Sequence, residues 1–539
     1  MNEHVANSLI ANSGLHFKTI ELDINPDEPL MLKSGRVLKY TFLETIDFLN
    51  ECRVRFDICT CKDSKYVPVT TLVNNSLVLE APNGISELDE CGVLQMKKDA
   101  VLGVIEHYEA GASVLTSVNS LASYRIKSGH EVKSAFELLL DKWLPMPMYE
   151  LGVTGQCANY PIGWCRVLIS AIGEKKKNGT QRYRFVWAFD TQLADGVEEG
   201  ILRPSFLGGS GNSKVYNLCN RTDSLLGSFL NIPDGQNDSP ISDYIVSLLG
   251  IDLNEDIPHK YKFLGYYIYL INYLRLSGAA PEITLYNNTT KSIPVDMSID
   301  VGNSRTCAVL FEQGDFTKSR MLRFRDLSEP WRAHNDAFDM RLVFRRADFG
   351  GDLTLNKDLF QWHSLVRVGD EAKRLIYHSL ENNGESERTT NYSSPKRYLW
   401  DGQSFENRWE LMVVKGDPTN VTQNPNIFKE GFTEYFADDG TYLGKPKEID
   451  LFNLGKENQC HFSRRSLMTF VMIEVLNQAL SYVNSSEFRF VHGQIDCRRY
   501  IRNIIVTCPT SMPMQEQYVL RKAAKDAADL MVKIIQNLP

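Results

Sequence analysis

The chain has 539 residues, 43% hydrophobic and 23% charged, with a formal net charge of -8. That composition excludes a fibre or a disordered tail, and the length implies more than one core. The acidic balance excludes a general nucleic-acid binder, whose phosphate contacts need a basic surface.

The N-terminal Met-Asn-Glu-His stretch carries acid and leads into no long apolar run, so it does not read as a secretory signal. Ser8 to Phe17 and Lys18 to Asp23 read as strands around the turn Asn12-Ser13-Gly14. Eleven cysteines are scattered without framework spacing. Cys59-Thr60-Cys61 is one residue short of a redox or zinc knuckle, and Cys157 and Cys165 are too far apart for one. Reduced, mostly buried thiols in a cytoplasmic protein are expected. Trp164 to Ile172 and Arg182 to Phe189 alternate around Gly173 to Gly179, which predicts a hairpin whose three lysines form a solvated tip.

Gly208-Gly209-Ser210-Gly211-Asn212-Ser213-Lys214 looks like a phosphate loop. It lacks the Gly-Lys-Ser/Thr ending, and Val215 follows the lysine, so a turn is expected. The run Phe263 to Leu276 is 14 residues long and includes Arg275. A span needs about 20 apolar residues, so this segment predicts a buried helix and no membrane crossing. After the polar link Asn287 to Thr290 the pattern changes to short strands. The expected division is residues 1–290, a mixed α/β region without an assigned role, and residues 291–539.

Met297 to Phe311 reads as strand, tight turn, strand, with Asp300 at the end of the first strand. Gly302 lets the backbone approach a ligand closely. Successive amides of Asn303, Ser304 and Arg305 then offer a concavity of donors to phosphate, and the Ser304 hydroxyl adds another. Asp300 is the candidate metal residue, since Mg²⁺ takes one or two carboxylates plus waters.

Ile-Asp-Val-Gly-Asn-Ser-x-Thr-Cys-Ala-Val resembles the first phosphate motif of Hsp70 chaperones and the opening motif of type III pantothenate kinases. Three later stretches favour Hsp70. Val368 to Lys373 is similar to its Gly-Asp-x-Ala-Lys stretch, and Ser394 to Leu399 to its Lys-Arg-Leu-Ile segment. Asn503 to Pro509, with the helix holding Arg521 to Ala528, resembles its Val-Thr-Val-Pro strand and following helix. A helix over Ser463 to Val483, with Leu467, Val471, Val475 and Ala479 on one stripe, completes the pattern. The N-terminal extension beginning Ser8-Leu9-Ile10-Ala11-Asn12-Ser13-Gly14 is similar to the SrfB family of bacterial virulence-associated proteins.

The resemblance covers about residues 293–539, with an insert over Gly402 to Gln459. It implies a ribonuclease-H-like lobe of the actin/Hsp70 ATPase superfamily, using ATP and Mg²⁺. Asp300 and Lys396 would be catalytic, and Gly302 to Arg305 would bind phosphate. It further implies Met297 to Asp300, Ala308 to Phe311 and Met321 to Asp326 as adjacent antiparallel strands, with Ile504 to Cys508 in the same sheet. Its second lobe, with another phosphate loop, has no match, so the chain reads as part of a longer ATPase with ATP/ADP and further proteins as partners. A small-molecule kinase and a non-catalytic scaffold remain alternatives.

Overall fold

The computed structural model describes residues 6–25, 140–152 (apart from 142), 163–193, 281–345, 360–381, 390–404, 431–447 and 462–536, with shorter pieces such as 36–43, 53–60 and 211–218. Cys61, Cys157, Gly208 to Ser210 and the apolar run Phe263 to Leu276 lie outside the described residues. The architecture is mixed α/β with two principal sheets.

The first sheet is built from β1 (Ser8–Ile10), β2 (Leu15–Ile24), β3 (Trp143–Glu150), β4 (Gly163–Ile172), β5 (Gln181–Asp190), β6 (Ser213–Asn217) and β7 (Glu282–Tyr286). Their spatial order is β1-β7-β6-β3-β4-β5-β2. The expected hairpin is β4–β5, closed where Gly173 and Gly179 adopt positive φ. Its lysine tip is solvated, with Lys176 reaching Asp23 at 3.3 Å.

The Asn12-Ser13-Gly14 turn also forms, with positive φ at Asn12 and Gly14. It does not make a hairpin: β1 runs parallel to β7, and β2 pairs with β5. Thr191 explains the divergence. Its carbonyl accepts Asn12 N–H at 2.8 Å and its hydroxyl accepts Ser13 N–H at 3.0 Å, tying the turn to the end of β5. Lys214 lies within β6 and pairs with Glu150 at 3.0 Å, a cross-strand role that uses up its charge.

The second sheet begins with β8 (Ser292–Val301), β9 (Arg305–Glu312) and β10 (Arg320–Met321), followed by the short β11 (Phe338–Asp339). β12 (Arg341–Phe344), β13 (Val366–Val368) and β14 (Asn391–Ser393) form a separate three-stranded sheet in the order β13-β12-β14, with α1 (Gly369–Glu381) following β13. The chain ends with α2 (Ser466–Val483), α3 (Ser486–His492), β15 (Arg498–Thr507) and α4 (Met514–Gln536). The order β10-β9-β8-β15 places β8 between antiparallel β9 and parallel β15, while β11 also pairs with β9.

Residues of β8 alternate as a pleated strand should: Ile293, Val295, Met297, Ile299 and Val301 are buried. The expected third strand, Met321 to Asp326, is shorter than its composition suggested. Only Arg320 and Met321 join β9, whereas Phe324 and Arg325 pair with Ala333 and His334 in a separate ribbon. Asp326, bonded to Arg374 of α1 at 2.6 Å, draws the chain away from the sheet.

The predicted stripe on α2 is present, yet the helix is buried around most of its circumference. It packs against β13, β15 and α4, which accounts for its apolar length. By length and hydropathy this helix could cross a membrane; 78% of it is buried inside the protein. Glu474, fully buried within α2, accepts hydrogen bonds from Arg367 and Trp362 at 2.8 Å and from Gln478 at 2.9 Å. Burial pushes its carboxyl above the usual range, and Arg367 opposes that shift.

The first sheet packs on a loop and a two-stranded ribbon (Ala347–Asp348 with Gln361–Trp362) through a buried cluster. Leu15, Trp143, Leu168, Val186 and Ala188 pack with Leu327, Ala347, Phe349, Phe360 and Trp362. Removing one partner of a buried ion pair leaves the other uncompensated. Glu474→Ala is therefore expected to destabilise the fold by about 3–5 kcal/mol in urea unfolding. A loss under about 1 kcal/mol would mean that Arg367 finds other partners.

Candidate functional site

Parallel pairing of β8 with β15 brings their C-terminal ends together, with Asp300 opposite Thr507. Asp300 alternates out of the core between Ile299 and Val301, so its carboxylate is exposed at the mouth of the sheet. Thr507 donates its hydroxyl to Asp300 Oδ1 at 2.8 Å. That contact fixes the carboxylate's direction and leaves its second oxygen available to a cation.

The turn after β8 is tight. Gly302 N–H donates to the Arg305 carbonyl at 3.1 Å. A Cβ on Gly302 would lie 2.2 Å from that same oxygen, so no side chain fits without opening the turn. Asn303, Ser304 and Arg305 are exposed. Among the described residues, the Asn303 and Ser304 N–H groups have no hydrogen-bond partner. Two free amides on a constrained turn beside a carboxylate suit a phosphate and its counter-cation.

Lys396 comes to this turn from 95 residues away. It sits in a 3-10 turn, Pro395–Tyr398, entered through Ser394 in the left-handed region at φ 53°. Its side chain is buried, and Nζ donates to the Val301 carbonyl at 2.7 Å. The ammonium therefore lies next to Gly302.

Residues 338–340 hold the two parts in register. Met340 N–H donates to the Ser304 carbonyl at 2.8 Å, and the Met340 carbonyl accepts Ser394 N–H at 2.7 Å. One residue thus links the Gly302 turn to the start of the lysine turn. Arg305 points toward Asp339, Nε to Oδ1 at 3.1 Å. Asp339 also binds Lys373, which holds its carboxyl below the usual range. Lys373 belongs to α1, whose first residue Gly369 has φ +69° and packs tightly on Phe338.

Sequence reasoning missed Thr507, Asp339 and Met340. Thr507 was legible as the end of a strand, but nothing local said which strand it would join. Met340 acts through its backbone and leaves no side-chain signal.

A second acidic centre lies behind α1. Asp326 is pushed up to about 6 by burial and by Glu371 nearby, while Arg374 opposes the shift. Glu371 accepts Leu327 and Ser328 N–H groups at 3.0 and 2.7 Å, so it is spent on the backbone. Among the described residues no group of three or more His, Cys, Asp or Glu could hold a metal ion.

The family model for virulence factor SrfB matches residues 93–538, most of the chain. The chain belongs to the SrfB family. No curated protein matches it. The match begins after β1 and β2 of the first sheet and takes in the whole second sheet, with β8, β15, the Gly302 turn and Lys396 inside the family region.

Gly302→Ala is expected to lower stability by about 1–3 kcal/mol, because its Cβ cannot be accommodated beside the Arg305 carbonyl. Thermal unfolding reads the loss. An unchanged midpoint would mean that the turn reopens freely.

Proposed function

We propose that residues 291–539 of this SrfB-family chain form a ribonuclease-H-like lobe of the actin/Hsp70 type, and that the Gly302–Arg305 turn binds the phosphates of ATP with Mg²⁺. Residues 1–290 form the preceding region. The single observation that carries the reading is the meeting of Lys396 with the turn, Nζ to Val301 O at 2.7 Å. The resemblance required a lysine from a distant segment at that place. Also in support are antiparallel β8, β9 and β10, with β15 in the same sheet.

The residues present fit the group. The free amides of Asn303 and Ser304 would cradle phosphate oxygens, and Asp300 would hold water around the cation. The metal ion, when bound, would neutralise charge between neighbouring phosphates. Lys396 would exchange the Val301 carbonyl for a phosphate oxygen, stabilising charge that develops during transfer to water. Thr507 would keep Asp300 oriented. In this reading the chemistry is ATP hydrolysis to ADP and phosphate, coupled to closure around the nucleotide in a complete ATPase.

The turn is exposed at the edge of the sheet, and the cavities beside Gln478, Lys522 and Phe488 include none of its residues. A ligand on an open face gives up much of the burial that small-molecule sites supply, and water weakens the electrostatics of the turn. The chain alone is therefore expected to bind ATP weakly and to hydrolyse it negligibly. Calorimetric titration and phosphate release test both. Where turnover is recovered with a closing partner, Asp300→Asn should depress turnover more than binding. Micromolar affinity with steady turnover in the isolated chain would overturn the open-face account, and no binding at millimolar ATP would overturn the nucleotide reading.

A further inference from the structure

The turn carries a charge pattern that the proposed chemistry does not use. Arg305 and Asp339 are cross-strand partners in β9 and β11, so register holds the carboxylate beside the guanidinium. Only Nε of Arg305 is engaged, at 3.1 Å, while the side chain remains 70% exposed. Among the described residues its two terminal nitrogens have no partner. The other Asp339 oxygen takes Lys373, which also approaches Asp370 at 3.5 Å. Two cations beside the turn are thus matched by two carboxylates.

An exposed pair of this kind contributes little to folding stability. Its effect on an anion at the same turn is direct. A ligand phosphate meets two cations whose charge is already offset, and it must compete with a carboxylate for Arg305. The carboxylate repels the bound anion, and that repulsion grows with the anion's charge. A polyphosphate tail is therefore held back more than a single phosphate, although the free edge of Arg305 can still reach toward it.

We propose that Asp339 sets the charge response of the Gly302–Arg305 turn, offsetting Arg305 and Lys373 so that a di- or triphosphate tail gains less over a single phosphate than the two cations alone would give it. This rests on the nucleotide reading above. Asp339 is a specificity-determining residue, acting through Arg305 and Lys373 on the ligand.

The test is a phosphorus NMR titration of the full chain with ATP and with inorganic phosphate, at two salt concentrations. Asp339→Asn keeps the size and an accepting oxygen but removes the charge. It is expected to tighten ATP by about tenfold and inorganic phosphate by about threefold or less, so the preference for ATP widens. The gain should shrink at the higher salt. Asp339→Glu, which keeps the charge, should retain the preference, and Asp339→Asn combined with Arg305→Ala should lose the gain. An unchanged ATP-to-phosphate ratio in a folded Asp339→Asn protein, with ATP still bound by the wild type, overturns the proposal alone. Weaker binding of both anions by Asp339→Asn does the same, since Asp339 would then merely orient Arg305. No ATP binding by either form overturns the nucleotide reading and the proposal together.

Discussion

The parallel pairing of β8 with β15 is the constraint from which the rest of the second sheet follows. Parallel neighbours cannot be joined by a tight turn; the chain must leave, cross and return. Here the return takes the whole stretch between Val301 and Arg498, and α2 is laid across the sheet on the way. The pairing also contains an irregularity between Val295 and Asp296. It turns Asp296 toward Arg502 and Asn503, whose side chains bond it at 2.5–3.0 Å. The Arg502 hydrogen bonds hold the Asp296 carboxyl below its usual range. Its contribution is present above the ordinary carboxylate value and is lost as pH falls through the lowered one.

Helix α2 then imposes its own condition. A helix apolar on nearly every side must be enclosed, and the enclosing surface comes from several places. The sheet and α4 cover part of it, while Glu474 inside it reaches Arg367 of β13 and also Trp362. The first sheet bears on the same assembly. Ser481 donates to the Leu15 carbonyl at 2.9 Å, and Arg489 of α3 donates to Ser8. Such buried polar contacts specify position more than they add stability, because desolvation offsets most of the gain. The two sheets therefore have a defined relation through named side chains.

Much of this was legible where the physics is local. The β4–β5 hairpin showed in alternation plus a Gly-bounded turn, and the β8–turn–β9 unit showed in its apolar period around Gly302. The Asn12–Gly14 turn was legible, but its consequence was not, because Thr191 redirects it from far along the chain. Met321 to Asp326 read as one strand because composition is blind to the pull of Arg374 on Asp326. At the site, Asp300, Gly302 and Lys396 could be picked by resemblance, and the bond from Lys396 to Val301 needed the fold. Asp339 had no sequence signal at all. Its meaning comes from register with Arg305 and from a lysine one turn into α1.

The two ends of β8 do different work, and strand direction is the reason. At the amino end, Ser292 pairs with Arg498, and the contacts to the first sheet gather there. Asn288 bonds Asp496 at 3.1 Å, and Arg489, just before β15, reaches Ser8. At the carboxyl end lie Asp300, the Gly302 turn, Lys396 and Thr507. Crevices outside the carboxyl ends of parallel strands are where open α/β sheets place ligands, since neighbouring loops emerge side by side there. Ten residues of strand at about 3.3 Å each separate the ends by roughly 30 Å. Arg489 thus ties the first sheet to this region at the end opposite the turn. Among the described residues, those at the turn come from the second sheet, from α1 and from the loops that return to it.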